Sequence, residues 1–263
     1  MHTTYQAIKN TAKTSLQIDD LLVVEAPLQI NINNEPYTVV MRTPGNDKKL
    51  IRGLLYAEDI YKQQEPVNMN IIKIENKFSL IINVTIPKEK LGGGYLNKRT
   101  LLSVSSCGIC GKKELSNVKV KGNPLQAKQT QSINIISSMF IKMTEKQFLF
   151  KNTGGSHACA IFNEKQELLT LKEDIGRHNA VDKCIGDLLH AHNLKKANYM
   201  LVSGRVSYEI VTKAFLAKIP IIIAVSACSS LAVDFAKEFG LCLIGFSRNN
   251  KMTIYSNPQY VNL

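Results

Sequence analysis

The stretch YMLVSGRVSYEIVTKAFLAKIPIIIAVSACSSLAVDFAKEFGLCLIGF, residues 199–246, decides the fold class. It contains three short apolar runs, YMLV, IPIIIAV and LCLIGF, separated by two segments whose apolar residues recur at helical spacing. Strands without polar alternation are buried on both faces, and helices between successive strands allow the strands to run parallel. The stretch therefore predicts an α/β domain with a buried, mainly parallel sheet.

Outward from this stretch, we extend the same domain to residues 126–263. A further helix is predicted in RHNAVDKCIGDLLHAH, and before it a helix over about 132–147 leads into a hairpin formed by ACAIFN and ELLTLK. The apolar residues of RHNAVDKCIGDLLHAH share one helical face: Val181, Cys184, Ile185, Leu188 and Leu189.

The first half of the chain is richer in strands. Two hairpins are predicted, with turns at Asn34-Glu35-Pro36 and Glu75-Asn76-Lys77, and between them DKKLIRGLLYAEDIY has helical spacing after a start at Asp47. We therefore predict a smaller, β-rich α+β domain over residues 1–90. Residues 91–125 carry little periodicity and are predicted to be an exposed, mobile connection between the domains.

Composition restricts the class of protein. A chain of 263 residues with 44% hydrophobic side chains can bury a full core in about two domains. No apolar run approaches the roughly 18 residues of a membrane span, and the polar start lacks the apolar centre of a signal peptide. We therefore expect a cytoplasmic protein without membrane contact. The net charge of +12 favours an anionic partner, although a solvated basic surface explains it equally well.

Nucleic-acid binding is not indicated. Tryptophan is absent, aromatic residues make up 7% of the chain, and no stretch interleaves basic and aromatic residues as a base-stacking surface does. Neither a Walker loop nor a G-x-G-x-x-G loop follows a predicted strand.

Glycine, serine, arginine and histidine follow the predicted strands of the second domain. Ligands bind beyond the carboxyl ends of strands in open α/β sheets, so we expect these residues to line one pocket. Glycines let the backbone approach phosphates, and arginines neutralise them. The turn TGGSH, before the hairpin, is a further candidate for accepting an anion. The candidate residues are Thr153, Gly154, Gly155, Ser156, His157, Arg177, His178, Ser203, Gly204, Arg205, Phe246, Ser247, Arg248, Asn249, Asn250 and Lys251.

Each of these turns also has a purely structural explanation. SGRVS and SACSS could be ordinary strand-to-helix turns in which a serine caps the helix. Arg177 and His178 could pair with Glu173 and Asp174 in an ion network at a helix start. The ligand-binding interpretation depends on four turns lying at one edge of the sheet: EDIGRHN, SGRVS, SACSS and GFSRNNK. They lie at one edge only if the strands before them run parallel.

The motif Cys107-Gly108-Ile109-Cys110 is the sharpest local signal of chemistry. Two thiols at this spacing can share a metal, form a redox disulfide, or carry a persulfide on one cysteine while the other assists. Zinc needs about four ligands, and a second CxxC is missing, although His157 and Cys159 could complete a set. We therefore predict no permanent metal.

The surroundings of the motif favour a nucleophilic thiolate on a movable arm. Arg99, Lys112 and Lys113 favour the ionised form of a thiol, and the adjacent glycines let the backbone swing the sulfur between a donor and a recipient. The cysteines on apolar faces or in strands are predicted to pack in the core. These are Cys159, Cys184 and Cys242.

The strings SSCGICGK, QFLFKNTGGSHACAIF, EDIGRHNAVDKCIG, SGRVSYEIVTKA, SACSSLAVDFA and LIGFSRNNKMTIY follow one another along the chain, and MRTPGNDKKLIRGLLYAEDI precedes them. In this order they resemble the FdhD family of formate dehydrogenase accessory sulfurtransferases, over about residues 27–255. The resemblance implies a second domain similar in fold to cytidine deaminases. Deaminase chemistry is not expected, because His157 is not followed by the glutamate of an H-x-E motif.

The resemblance implies a cytoplasmic homodimer that takes sulfur from a cysteine desulfurase. It would pass this sulfur to molybdenum bis(molybdopterin guanine dinucleotide) before that cofactor enters formate dehydrogenase. Cys107 would carry the persulfide, with Cys110 in support, and Phe246 to Lys251 would bind the cofactor. Two alternatives stay open: a carrier that only binds and delivers the cofactor, and a zinc-stabilised regulatory domain.

Three places depart from the family pattern. Asp59 stands where the family has glycine, Cys228 and Ser229 stand where proline and threonine are usual, and Cys159 replaces a small, alanine-like residue. These departures leave the CxxC motif intact. They make Cys228 a candidate second reactive thiol near the site.

Overall fold

The computed structural model describes residues 1–74, 76–96, 122–126, 131–248 and 251–262. The first half of the chain is built from β1 (His2–Asn10), β2 (Ser15–Val23), β3 (Ala26–Ile32), β4 (Glu35–Arg42), α1 (Asp47–Ala57), β5 (Asn68–Ile74) and β6 (Leu80–Thr85). The second half is built from β7 (Gln131–Ser132), α2 (Ile133–Glu145), α3 (Phe148–Thr153), β8 (His157–Phe162), β9 (Leu168–Asp174), α4 (Arg177–His190), β10 (Tyr199–Val202), α5 (Tyr208–Leu216), β11 (Ile221–Ala224), α6 (Ser230–Glu238), β12 (Cys242–Arg248), β13 (Lys251–Ser256) and β14 (Val261–Asn262).

The sheet of the second half has the strand order β13-β12-β11-β10-β8-β9. Only its centre, β10-β11-β12, is parallel, and β8, β9 and β13 join through antiparallel pairings. The prediction of a mainly parallel sheet is therefore wrong, because a hairpin on one side and a returning strand on the other make the sheet mixed. Even so, β9 runs in the direction of β10, since both are antiparallel to β8. The carboxyl ends of β9, β10, β11 and β12 consequently lie at one edge.

Helices cover both faces of this sheet. Alternate strand residues separate two cores, because successive side chains of a strand point to opposite faces. Met200 and Ile222 pack with α4, α5 and α6, whereas Leu201 and Ile223 pack with Met139 of α2. The predicted α/β class is confirmed, with an α+β first half whose separate core lies between α1 and the sheet β4-β3-β6-β5. None of the described helices is long and apolar enough to cross a membrane.

The first predicted hairpin turns one residue earlier than expected. Its loop residues are Asn33 and Asn34, with φ of 52° and 70°, and not Asn34-Glu35-Pro36. Asparagine tolerates this left-handed conformation, which a tight two-residue hairpin loop requires. Pro36 instead lies in β4, an edge strand, where the missing N–H does not interrupt a ladder. Ahead of this hairpin, β1 and β2 form an exposed hairpin that the sequence patterns did not predict.

The beginning of the predicted mobile connection belongs to the first core. Leu91 and Tyr95 pack against that core, and the Tyr95 ring stacks on Tyr37 with a centroid distance of 6.2 Å. Leu91 and Tyr95, at the start of the predicted connection, are therefore packed against the first core. Residues 97–121 lie outside the described part of the chain.

Asp59 has a backbone conformation that favours glycine. It follows the end of α1 with φ of 58°, the left-handed position that commonly terminates a helix. This geometry explains the glycine of the family pattern, and aspartate is among the residues that tolerate it.

The two halves of the chain pack together along α1 and α4. Lys183 of α4 donates to the Thr43 carbonyl at 2.8 Å and pairs with Asp174 at 2.6 Å. Asn179 also reaches across the joint, to the Met41 carbonyl at 2.8 Å. The boundaries drawn at residues 90 and 125 remain predictions, although these contacts show that the halves share a tightly bonded interface.

Candidate functional site

Four of the predicted site residues meet at the carboxyl edge of the second sheet. Ser203, after β10, accepts a hydrogen bond from the Ala158 amide at 2.9 Å, and its hydroxyl lies 3.4 Å from His157 Nδ1. A Cβ on Gly204 would lie 3.2 Å from His157 Nδ1 and 3.3 Å from the Arg177 side chain. We call His157, Arg177, Ser203 and Gly204 the edge cluster. It joins the start of β8 to the turns that follow β9 and β10.

The edge cluster has an unbalanced positive charge. Arg177 Nε is buried and has no hydrogen-bond partner in the described part of the chain, an arrangement that costs about 1–3 kcal/mol. Burial, and then the charge of Arg177, lower the pKa of His157 below its ordinary 6.5, against a smaller opposite effect of Asp174. At neutral pH the cluster therefore presents a cationic guanidinium beside a neutral imidazole, which suits an anionic ligand.

Among the described residues, Arg177 does not form the ion network with Glu173 and Asp174 that the sequence allowed. Glu173 instead accepts hydrogen bonds from two amides at the start of α3, each at 2.8 Å, and from Ser156 at 2.9 Å. Asp174 is bound to Lys183. Within the described residues, no ion pair joins Arg177 to either carboxylate, so its charge is left for another group.

His178 is buried beneath the edge. Its Nε2 lies 3.2 Å from the Ser207 hydroxyl and 3.9 Å from the Glu209 carboxylate, and its exposed fraction is 3%. These contacts fix the start of α5 against α4. His178 therefore positions these two helices at the edge of the sheet.

The turn from Thr153 to Gly155 differs from the anion-accepting turn that we expected. Gly154, with φ of 64°, terminates α3, and its amide donates to the Phe150 carbonyl at 2.7 Å. The Gly155 amide donates to Thr153 Oγ1 at 3.2 Å. Both amides are thus already used, because the end of a helix presents carbonyls rather than free N–H groups.

The segment that begins at Phe246 lies at the same edge of the sheet. Phe246 has φ of 51°, and its amide donates to the Ser226 carbonyl at 3.1 Å. A positive φ is an outlier for a bulky residue, and such strain is concentrated at functional sites. The pairing of β12 with β13 is irregular between Gly245 and Arg248, as expected of a bulge that re-aims side chains.

A groove of about 450 Å³ lies beside this segment. Ser247, Arg248 and Lys251 line it from one side, and Ser137 and Phe140 of α2 line it from another. The sequence did not predict that residues of α2 belong to the site. An apolar stripe on a helix predicts contact with the core, and it does not indicate a groove. Glu145 also lines the groove, so its two basic side chains leave a net positive charge of one beside an apolar wall. Such a lining suits a ligand with a phosphate and a ring.

The serine-capping alternative agrees with the structure at both turns, although only one serine makes the capping hydrogen bond. Ser229 of SACSS accepts a hydrogen bond from the Ala232 amide at 3.2 Å and caps α6. Ser207 of SGRVS is the N-cap of α5 without a side-chain capping hydrogen bond, whereas Ser203 is bonded within the edge cluster. Arg205, in the same turn, is exposed.

Comparisons with known proteins identify the family. A sequence profile of the FdhD/NarQ family matches residues 23–262. The chain belongs to this family. It is 39% identical over 246 residues to the sulfur carrier protein FdhD of Sulfolobus acidocaldarius, covering 93% of this chain and 92% of that protein. It is 41% identical over 246 residues to the protein of the same name from Saccharolobus solfataricus, covering 92% and 91%.

The fold is shared with a solved structure. The crystal structure of a proposed formate dehydrogenase accessory protein from Desulfotalea psychrophila superimposes with a TM-score of 0.75, at 22% identity, over 99% of both chains. The resemblance inferred from the sequence strings is thus confirmed at the level of family and fold.

The CxxC motif of this FdhD/NarQ member, Cys107 and Cys110, lies outside the described residues, as do Asn249 and Asn250. Among the described residues, no group of three or more histidine, cysteine or acidic side chains is placed to hold a metal ion. The persulfide and cofactor assignments therefore remain predictions.

The remaining cysteines are poor nucleophiles. Cys159, Cys184 and Cys242 are buried in the cores, as predicted. Burial raises the pKa of Cys228 to about 11 and that of Cys242 to about 12. Cys228 is therefore protonated at neutral pH. This protonation disfavours Cys228 as the second reactive thiol that its position suggested.

Proposed function

We propose that this protein is a sulfurtransferase that accepts persulfide sulfur from a cysteine desulfurase on Cys107. It then transfers the sulfur to molybdenum bis(molybdopterin guanine dinucleotide), bound at the sheet edge and destined for formate dehydrogenase. The observation that carries the proposal is the identity of about 40% to sulfur carrier proteins over nearly the whole chain. The matched range includes the CxxC motif.

Sulfur transfer through the motif takes two steps. The Cys107 thiolate attacks the outer sulfur of the donor persulfide, whose S–S bond breaks as the donor cysteine leaves as a thiolate. The Cys110 thiolate then attacks the inner sulfur on Cys107. The two cysteines become a disulfide, and the outer sulfur leaves as hydrosulfide, at the oxidation level of a sulfide ligand. A cellular dithiol supplies the two electrons that reopen the disulfide.

The proposed cofactor carries guanine and pyrophosphate groups. The side chains at the edge of the sheet suit both. The unpartnered Arg177 Nε and the close approach of Gly204 fit a phosphate that comes near the backbone. Arg248 and Lys251, in the groove, supply further positive charge, and Phe140 supplies an apolar surface for a base. We place the cofactor across the edge cluster and this groove.

Sulfur uptake tests the role of Cys107. The protein is incubated with a cysteine desulfurase and L-cysteine, and its intact mass is measured with and without a thiol reductant. Cys110→Ser, which cannot release the sulfur as hydrosulfide, and the control Cys110→Ser, Cys228→Ser should each gain the mass of one sulfur atom, removable by reductant. Cys107→Ser, Cys110→Ser should gain none. Sulfur uptake by this double variant equal to that of Cys110→Ser would remove Cys107 as the carrier.

The open alternatives predict other outcomes. A carrier that only delivers the cofactor would still activate formate dehydrogenase as the double variant Cys107→Ser, Cys110→Ser. A zinc-stabilised domain would contain about one metal per chain and would unfold with a chelator.

The implied homodimer is tested by light scattering during size-exclusion chromatography.

A further inference from the structure

A second cavity, of about 350 Å³, lies where α1 and α4 meet the loop before β5. It shares no lining residue with the edge cluster or the groove. Its lining combines an apolar surface of Val67, Met69 and Leu189 with basic residues that include Lys48 and Arg52. An enclosed apolar space with a few converging polar groups is typical of a small-molecule site.

Arg52 is a buried cation with neutral partners. Its exposed fraction is 6%, and its Nη1 and Nη2 donate to the backbone carbonyls of Tyr61 and Gln63. Its guanidinium carbon also lies 5.2 Å from the centre of the Tyr61 ring. Burial lowers the pKa of Arg52, and the charge of Glu65 opposes this with a smaller effect. No direct ion pair to a carboxylate is formed within the described residues. A buried charge without a direct ion-pair partner is costly, so an anion in the cavity would be stabilised.

The acidic groups near the cavity already have partners of their own. Asp187 pairs with Lys49 at 2.6 Å and with Lys172 at 2.8 Å. Glu65, the acidic residue in the lining, accepts from the Tyr61 hydroxyl at 3.3 Å and lies 3.8 Å from Lys90. Asp187 thus neutralises Lys49. Lys48 has no acidic partner in the described part of the chain, so the cavity keeps an excess of positive charge from Lys48 and Arg52.

We propose that this cavity binds a small organic anion with an apolar body, such as an aromatic or aliphatic carboxylate or sulfonate. The apolar body would contact Val67, Met69 and Leu189, and the anionic group would face Arg52 and Lys48. The site is independent of the proposed sulfur transfer, because it uses none of the same residues.

Paired probes test the proposal on the full chain. The anionic probe is 8-anilinonaphthalene-1-sulfonate, and N-phenyl-1-naphthylamine is its uncharged counterpart. Fluorescence titration should show saturable binding of the sulfonate, with about one site confirmed by calorimetry. Arg52→Met should weaken sulfonate binding by about tenfold or more and change binding of the uncharged probe by less than about twofold. Val67→Trp, which fills the cavity, should weaken both probes.

Two further variants keep the test decisive. Lys48→Met changes an exposed side chain and should weaken the sulfonate about two- to fivefold even if Arg52→Met does not fold. Lys237→Met, on α6, is the matched control and should have no effect. The proposal is overturned if Val67→Trp and Lys48→Met both bind the sulfonate as the wild type does. It is also overturned if the charge variants weaken the uncharged probe equally.

Discussion

Gly53 of α1 and Gly186 of α4 are in backbone contact where the two helices cross. A Cβ on Gly186 would lie 1.9 Å from the Lys49 carbonyl oxygen and 2.9 Å from the Gly53 nitrogen. A Cβ on Gly53 would lie 1.9 Å from the Asp182 carbonyl oxygen. The helices that join the two halves of the chain are therefore held at a distance that only glycine permits.

Gly186→Ala should separate these helices and destabilise the protein by about 2–3 kcal/mol, since overpacking of this kind forces backbone shifts. The free energy of unfolding in urea measures the loss. Gly93→Ala is the control, because a Cβ there meets only a side-chain oxygen of Asp59 at 3.8 Å. Equal stability of both variants would show that the helix crossing adapts without strain.

Lys183→Met should destabilise the protein by about 3–5 kcal/mol, because it leaves the fully buried Asp174 without its cation. Denaturant unfolding gives the value. The exposed pair of Lys62 with Asp59, at 2.7 Å, provides the matched control, and Lys62→Met should cost less than about 1 kcal/mol. A small loss for Lys183→Met would mean that water enters the joint between the halves.

In a Cys107→Ser, Cys110→Ser background, Cys228 should resist alkylation at neutral pH. With a pKa of about 11, roughly one thiol in a thousand is ionised at pH 8, and the rate should rise about tenfold for each pH unit up to about 10. Mass spectrometry after iodoacetamide treatment follows the reaction. Cys242 is the internal reference and should stay unlabelled. Rapid labelling of Cys228 at pH 7 would contradict the burial of its sulfur.

The imidazole of His157 should titrate below pH 6.5 in the native protein, as followed by NMR. An unfolded chain therefore binds this proton at a higher pH than the native one, so stability falls as the pH drops below about 6.5. Arg177→Gln should move the midpoint upward, because it removes the nearby positive charge. An unchanged midpoint in Arg177→Gln would leave burial as the whole cause.

Arg177→Gln should weaken the binding of guanosine diphosphate by about tenfold or more without lowering stability. The Nε atom has no hydrogen-bond partner among the described residues, whereas a charge-assisted hydrogen bond to phosphate contributes about 1.5–3 kcal/mol. Isothermal titration calorimetry measures the affinity. Lys237→Gln, on α6, is the control. If both variants bind the nucleotide equally, its phosphates lie away from the edge cluster.

Local patterns predicted the elements well where periodicity was strong. Four helices of the second half, α2, α4, α5 and α6, and the buried face of α4 were placed correctly from apolar spacing, and so was the start of α1 at Asp47. The short helix α3 was not predicted. The sheet direction was wrong, because apolar runs show that a strand is buried but not which neighbour it pairs with. The anion-binding role of the turn at Thr153 stays a prediction, because glycines and polar residues occur both in anion sites and at helix ends.

The sequence by itself determined the family, the α/β class and the set of turns at the sheet edge, because these depend on residue identity and on spacing along the chain. Only the tertiary structure showed that α2 completes a groove. It also showed that, among the residues it describes, Arg177 Nε lacks a hydrogen-bond partner and the buried Arg52 forms no direct ion pair. The reason is physical. Burial and charge compensation depend on groups brought together from distant parts of the chain, and no local pattern specifies those neighbours.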